Sequence, residues 1–471
     1  MNDNLVKIYD FSWRAADLLE LFKDNPHVFL LETGISNQST GRFSFLGFDP
    51  FEIFQGGGKN CLEDLKKKSL RYKDFSFQNY STPLGSGIVG YLSYDLGLGW
   101  ENIPRYPMDV CSSKGSKEDL CLPDSFFGFY DCILTIDHVL KKLIVSSSGL
   151  PEKNPSARRK RAAVRLSEIT KRLQSFEPEF KMVPRTARQV LKDHGHLKCI
   201  KSNFTKQEYL QAVRKILEHI RRGDVYQVNL SQRFDLPAPA GILPTDLYGK
   251  LSSLSAVNFG GYFDCGDFQI ISNSPERFIK LENNRISTRP MKGTRSRGTT
   301  LGEDRKKRRQ LLRSAKDKAE LLMITDLERN DLGKVCEYGT VKVKQMRAIE
   351  NYQTVFQATS TVEGILKKDH DAFDVLRACF PGGSVTGCPK IRAMQVIEAL
   401  EPTRRGIYTG ALGYMSFLGD MDFNVLIRTL IRAHKKIYFQ TGGGIVADSI
   451  PEEEYGETLI KARALRLALG E

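Results

Sequence analysis

The stretch Arg289-Pro290-Met291-Lys292-Gly293-Thr294-Arg295-Ser296-Arg297-Gly298 sets how the rest of this 471-residue chain is read. Pro290 fixes one backbone torsion and holds Arg289 extended, while Gly293 and Gly298 open conformations closed to other residues. Just upstream, Phe278-Ile279-Lys280-Leu281 and Arg285-Ile286-Ser287-Thr288 have strand composition, and Glu282-Asn283-Asn284 between them reads as a hairpin turn. A lysine gripped between Pro and Gly at the end of such a strand is placed rather than merely present. Three arginines crowd Lys292, which favours an anionic ligand and predicts a lysine pKa lowered by like-charge repulsion. A basic exposed loop accounts for the same composition.

Working outward, strands are predicted at Val28–Glu32, Ser44–Leu46, Gly85–Tyr94 and Cys132–Ile136. A polar, charged connector spans about 146–204, with one helix over Arg158–Gln174. Thr205-Lys206-Gln207-Glu208 is a capping box before a helix over Tyr209–Arg222 that stops at Gly223. Downstream, Glu303–Thr325 reads as one long amphipathic helix, since Leu311, Leu312, Ala315, Ala319, Leu322 and Met323 recur at helical spacing. A helix over Asp371–Cys379 breaks at Pro381-Gly382-Gly383. Strands follow at Thr409–Phe417, Asn424–Ile431 and Lys436–Thr441, then Gly442-Gly443-Gly444 and a last helix over Glu452–Leu469. Strands and helices in this irregular order predict a mixed α/β body rather than a regularly alternating parallel sheet.

With 41% hydrophobic and 27% charged residues, the composition is globular, and no run is long enough to span a bilayer. Met1–Lys7 lacks the apolar core of a signal peptide. Nine scattered cysteines without a C-x-x-C pair argue against a zinc site or disulfide scaffold, for reduced thiols and for a cytoplasmic protein. The formal charge of +14 raises a nucleic-acid reading. Its main runs, Arg158–Arg161 and Arg305–Arg309, fall on helical patterns carrying acids and leucines and are not interleaved with aromatics, so solvated helix faces explain them and no nucleic-acid partner is expected. The positive field still suits a small dianion.

Two acid pairs, Asp317/Glu320 and Glu454/Glu457, repeat an i,i+3 spacing on predicted helices. Such oxygen-only ligands suit Mg²⁺, although i,i+3 acids are also ordinary surface features. The amides of Gly442–Gly444 are able to approach an anion closely, as is the turn Ser384-Val385-Thr386-Gly387, or they form tight turns only. Arg428 lies in the apolar, strand-like Val425-Leu426-Ile427-Arg428-Thr429 and needs an anionic partner if buried.

Taken in order, GDVYQVNLSQRF (223–234), SNSPERF (272–278), TRPMKGTRSRG (288–298), DKAELLMITDLERNDLGKV (317–335), FPGGSVTGCPKIRAMQVIEALEP (380–402), MDFNVLIRT (421–429) and GGGIVADSIPEEEYGET (442–458) resemble the chorismate-utilising enzymes. That family includes anthranilate synthase component I, aminodeoxychorismate synthase component I, and the isochorismate and salicylate synthases. The likeness is dense over 205–471 and loose before it, through FLLET (29–33), GRFSFLG (41–47) and GIVGYLSYDL (87–96). It implies an α/β (α+β) fold, one intertwined sandwich of two β-sheets with helices outside. Residues 1–195 would form its N-terminal part and 205–471 the chorismate-binding catalytic region. It implies chorismate as substrate and Mg²⁺ as cofactor, with Glu320 and Glu457 holding the metal and Asp317 and Glu454 in support. Gly442, Gly443, Gly444 and Lys461 would cradle the ring carboxylate. Arg428 and Tyr408 would take the enolpyruvyl carboxylate, with Gly293, Thr294 and Ser384 as further substrate contacts.

Three positions bear on the branch. Relatives that add water carry a lysine where this chain has Gln227, so that base is missing. In anthranilate synthases an alanine stands where this chain has Lys292, which instead resembles the aminodeoxychorismate branch. There Lys292 would add to the ring and Glu276 would act as general acid. Lysine has a reference pKa of about 10.4, so only about one molecule in 2,500 is neutral near pH 7, and a pKa of about 7.5 takes roughly 4 kcal/mol of selective destabilisation of the ammonium. Gln357 stands where many relatives have histidine, Cys388 replaces alanine, and Thr33 replaces serine in a tryptophan-pocket motif, so response to tryptophan is not inherited. No Cys nucleophile elbow of a glutaminase is present, so ammonia would come free or from a separate glutamine amidotransferase subunit. The alternatives are anthranilate synthase component I and a non-catalytic, nucleic-acid-binding relative.

Overall fold

Asn283 and Asn284 both adopt positive φ (50° and 61°), the two-residue turn that matches the twist of paired strands. They join Arg277–Glu282 to Arg285–Arg289 with Glu282 opposite Arg285, the predicted hairpin. The computed structural model describes residues 5–34, 41–73, 82–104, 120–176, 200–239, 241–352 and 355–470. The start of the chain, Cys111, Cys199 and most of the connector beyond 176 lie outside the described residues.

The hairpin belongs to a ten-stranded antiparallel sheet, in the order Met291–Ser296, Val355–Ile365, Arg285–Arg289, Arg277–Glu282, Met421–Val425, Ala411–Ser416, Gly87–Leu92, Ser125–Tyr130 and Glu52–Gly56, with Lys342–Asn351 also on Val355–Ile365. A twelve-stranded sheet runs from Leu5–Asp10 through Lys142–Ser147, Cys132–Asp137, Phe43–Gly47 and Phe29–Glu32. It continues with Phe259–Asp264, Gln269–Ser274, Thr429–Ala433, Lys436–Ile445, Gln227–Pro237 and Gly387–Cys388, with Lys201–Ser202 also on Gln227–Pro237. Early and late segments meet edge to edge in both sheets, Phe29–Glu32 on Phe259–Asp264 and Gly87–Leu92 on Ala411–Ser416.

Phe29, Phe45, Tyr91, Phe126, Phe263, Leu412 and Tyr414 fill the space between the sheets. Helices Ala15–Phe22, Pro155–Gln174, Pro244–Leu254 and Pro451–Ala468 cover the larger sheet. Cys61–Leu70, Ala315–Val335 and Ala372–Cys379 cover the other. Strands such as Gly87–Leu92 and Ser125–Tyr130 are therefore buried on both faces and show no alternation. This is the predicted sandwich.

Several boundaries differ from expectation. The basic stretch Met291–Ser296 is an edge strand rather than a loop. The single helix predicted over Glu303–Thr325 is two, Leu301–Arg313 and Ala315–Val335. Ser314 ends the first in extended conformation and caps the second, its Oγ accepting from Asp317 N at 3.2 Å. Asn424–Ile431 is not one strand, because Met421–Val425 and Thr429–Ala433 lie in different sheets. Gly442–Gly444 sits inside the strand Lys436–Ile445 rather than after it, with Leu230 opposite Gly443. Cys121 takes part in a disulfide, against the expectation of thiols throughout; the lack of a C-x-x-C pair argues against clustered ligands but not against a single bond. Among the described residues, no helix is long and apolar enough to cross a membrane.

Candidate active site

Gly293, at φ 74°, breaks the alternation of its strand, and the register against Val355–Ile365 slips between Lys292 and Thr294. A Cβ there would meet Leu311 Cδ1 at 2.9 Å and Asp317 Cβ at 3.0 Å, so only glycine lets the strand pass this close to the helix Ala315–Val335. Lys292, opposite Ala358, is half-buried and donates from Nζ to the Ser384 carbonyl at 3.2 Å. Its Nζ lies 3.6 Å from where a Cβ on Gly444 would stand. Burial pushes the ammonium pKa below the ordinary lysine value and Lys461 adds to this, against the pull of Glu320, Glu276 and Glu457. The arginines expected to do this are spent elsewhere. Arg289 pairs with Glu350, Arg295 with Asp317 at 2.8 Å, and Arg297 with Asp304 at 2.7 Å.

Glu276 follows Gln269–Ser274 and is 5% exposed. Burial raises its carboxyl pKa, opposed by the Ser384 hydroxyl, the charge of Lys292, the Met291 amide and Arg428. Ser384, in the short turn Gly383–Val385, thus touches both groups, its carbonyl on Lys292 and its hydroxyl on Glu276. A lysine driven towards the free amine and an acid driven towards the protonated form are the states needed for nucleophile and general acid.

The acid pairs lie on two helices that meet, with Lys316 Nζ 3.9 Å from Glu454 Oε1. Burial and the charges of Asp317 and Glu457 push Glu320 upward, against Lys292 and Lys316. Each of the other acids has a cation. Asp317 has Arg295, Glu457 has Lys461 at 2.6 Å, and Glu454 has Lys316 and the Ser449 hydroxyl at 2.6 Å. Among the described residues, no three acids, histidines or cysteines are gathered closely enough to hold a metal as they stand. The donor chemistry nevertheless fits Mg²⁺, with hard carboxylates from two facing helices that feel one another's charge.

Arg428 occupies the crossover between the sheets in the left-handed region, φ 52°, not a regular strand position. Burial lowers its pKa, and no described carboxylate pairs with it; Tyr352 and Glu276 are the acidic groups whose charge it feels. Tyr408 is buried over the Arg405 guanidinium, 5.8 Å away. Beyond Phe439 the strand Lys436–Ile445 loses its neighbour Thr429–Ala433, which frees backbone groups along Gln440–Ile445 on that edge. Lys461 donates to the Gly442 carbonyl at 2.9 Å. A Cβ on Gly443 would lie 3.1 Å from Glu454 Oε2. Thr294 stands opposite Gln357 on the rim.

Sequence reading missed two buried groups, Glu328 and Arg405. Glu328 accepts from the Gly383 amide at 3.0 Å, and its carboxyl pKa is raised to about 8 by burial and by Asp331. Arg405 joins Glu401, the Val385 carbonyl and the Asn229 carbonyl. Gln227 and Gln357 are buried with side-chain carbonyl oxygens lacking a described partner. The signal for Glu328 was its position between apolar turns of the Ala315–Val335 helix, where an acid is seldom buried alone.

The chain matches the family model of the chorismate binding enzyme over residues 27–466, and it belongs to that family. Anthranilate synthase component 1 of Thermus thermophilus is 39% identical, covering 98% of this chain and 96% of the relative. Aminodeoxychorismate synthase component 1 of Bacillus subtilis is 36% identical, covering 96% and 93%. The crystal structure of anthranilate synthase component I from Streptococcus pneumoniae superposes with a TM-score of 0.74 at 29% identity, covering 92% and 94%.

Proposed function

We propose that this chain is the chorismate-aminating component I of an aminodeoxychorismate synthase, acting with ammonia from a separate glutamine amidotransferase subunit. The observation that carries the reading is Lys292 itself, with its amine against Ser384 and the Gly444 strand and its ammonium disfavoured by burial. Free Lys292 Nζ bonds to C2 of chorismate, the two ring double bonds shift, and the C4–O bond breaks. Glu276 gives its proton to the departing hydroxyl, which leaves as water. Ammonia then bonds to C4, the double bonds return, and the C2–N bond to Lys292 breaks. A proton lost from the new ammonium restores Glu276. Arg428 and Tyr408 hold the enolpyruvyl carboxylate. Glu320 and Glu457, supported by Asp317 and Glu454, would hold Mg²⁺, which when bound supplies positive charge for the ring carboxylate. Lys461 and the Gly442–Gly444 backbone orient that same carboxylate.

Relatives of comparable identity carry both names, so formation of anthranilate is the competing reading. Incubation with chorismate, Mg²⁺ and an ammonium salt distinguishes them. The expected product is 4-amino-4-deoxychorismate, and Lys292→Ala is expected to lose it while chorismate still binds. Fluorescent anthranilate from the unaltered protein would overturn the proposal.

A further inference from the structure

The turn Gly383–Val385 presents Ser384 to both Lys292 and Glu276, and nothing in the proposed chemistry explains what holds that turn. Its two ends are tied to buried side chains. On one side the Gly383 N–H donates to Glu328 Oε1 at 3.0 Å. On the other, Arg405 donates to the Val385 carbonyl at 2.8 Å. Arg405 is committed to several other partners, including Glu401 and the Asn229 carbonyl. Glu328 has one described bond, and its other oxygen, Oε2, is buried without a described partner. The turn lies directly on the helix carrying Glu328. A Cβ on Gly383 would come within 2.6 Å of Leu327 Cδ2 and 3.1 Å of Glu328 Oε1, so a larger residue here would have to displace the Leu327 side chain and crowd the Glu328 carboxyl.

We infer that Glu328 is a positioning residue, whose carboxyl fixes the Gly383–Ser384 peptide so that Ser384 meets Lys292 with its carbonyl and Glu276 with its hydroxyl. A charged carboxylate would be a costly choice for one amide bond at 3% exposure. Asp331 and Glu276 disfavour its charge and Lys390 favours it, with the balance towards the neutral acid. The neutral form still has a carbonyl oxygen for the Gly383 N–H, which is all the role requires.

This inference rests on the proposed roles of Lys292 and Glu276, and its test reads chorismate consumption, which either amination product requires. Glu328→Gln keeps an acceptor of the same shape, and Glu328→Met fills the space without one. Both would be assayed with ammonium as nitrogen source, with folding checked by circular dichroism. The Met variant is expected to lose about tenfold to a hundredfold in kcat, as slight misplacement of reacting groups does, with KM for chorismate within about twofold. The Gln variant is expected to stay within about threefold of the unaltered enzyme. A folded Met variant with unchanged kcat, or Met and Gln variants falling together, would overturn it. If the Met variant does not fold, the Gln variant decides alone: retained kcat supports the role and a tenfold loss refutes it. Anthranilate as product would refute the proposed function and leave this comparison readable.

Discussion

Lys461 Nζ lies 2.6 Å from Glu457 Oε1, one helical turn back, and also donates to the Gly442 carbonyl at 2.9 Å. The same ammonium is the cation that disfavours charge on Lys292, a part the sequence suggested for Arg289 and Arg295. Lys461→Met removes that repulsion and leaves Glu457 unopposed, and both changes favour the charged form of Lys292. Its pKa should rise. The rising limb of the pH–rate profile for chorismate consumption should therefore move up, by about half a unit to one unit. A limb that stays in place or moves down would show that Lys461 does not act on Lys292.

Glu328 makes a prediction about stability. Its folded pKa is raised to about 8, whereas an unperturbed glutamate titrates near about 4.3. In the window between these values the folded state holds a proton that the unfolded chain has released. Stability is therefore lost as pH rises through the window. Glu328→Gln cannot titrate, so its melting temperature relative to the unaltered protein should improve from pH 5 to pH 8.5. Differential scanning calorimetry at the two pH values checks this, and an equal difference at both would refute it.

The strand Lys436–Ile445 leaves no room at Gly444. A Cβ there would stand 2.1 Å from Gln227 Nε2, and Gln227 is 1% exposed, so the carboxamide has nowhere to go without moving strand Gln227–Pro237. Gly444→Ala should cost about 1–3 kcal/mol of stability and raise the chorismate KM at least about tenfold. Unchanged urea midpoint and KM would mean that the backbone here is not packed as described.

The acid pairs predict metal affinity. Glu320 is the carboxylate of the four without an ion pair among the described residues, while Glu457 is shared with Lys461. Glu320→Gln and Glu457→Gln should each weaken Mg²⁺ binding by about tenfold or more, read by isothermal titration without substrate. Asp317→Asn, whose carboxylate is engaged by Arg295 at 2.8 Å, should weaken it less. The reverse order would move the metal away from the Glu320–Glu457 wall.

Local chemistry made much of this architecture readable. The Thr205/Glu208 capping box and the Asn283–Asn284 turn act through neighbouring atoms, and both formed as expected. What escaped was set by distant partners. Ser314 falls inside an unbroken helical pattern of apolar residues, yet its extended backbone ends one helix and its hydroxyl caps the next. The apolar run through Arg428 hid a crossover, because strands buried on both faces carry no alternation to mark where one sheet ends and the next begins. The pairing of the arginines around Lys292 likewise depends on Glu350, Asp317 and Asp304, which only the fold brings to them.

Arg428 gives a last prediction, in which stability and binding move in opposite directions. Its backbone is in the left-handed region at φ 52°, its pKa is lowered by burial, and no described carboxylate pairs with it. A guanidinium kept this way costs the folded state and is repaid only by an anionic ligand. Arg428→Met should stabilise the ligand-free protein, by about 1–2 kcal/mol. It should also weaken chorismate binding by about a hundredfold, the loss of a charge-assisted pair. Thermal melts with and without chorismate read both effects, since ligand raises the melting temperature only where it binds. A variant that is less stable without chorismate, or equally stabilised by it, would mean that this arginine serves the fold and not the substrate.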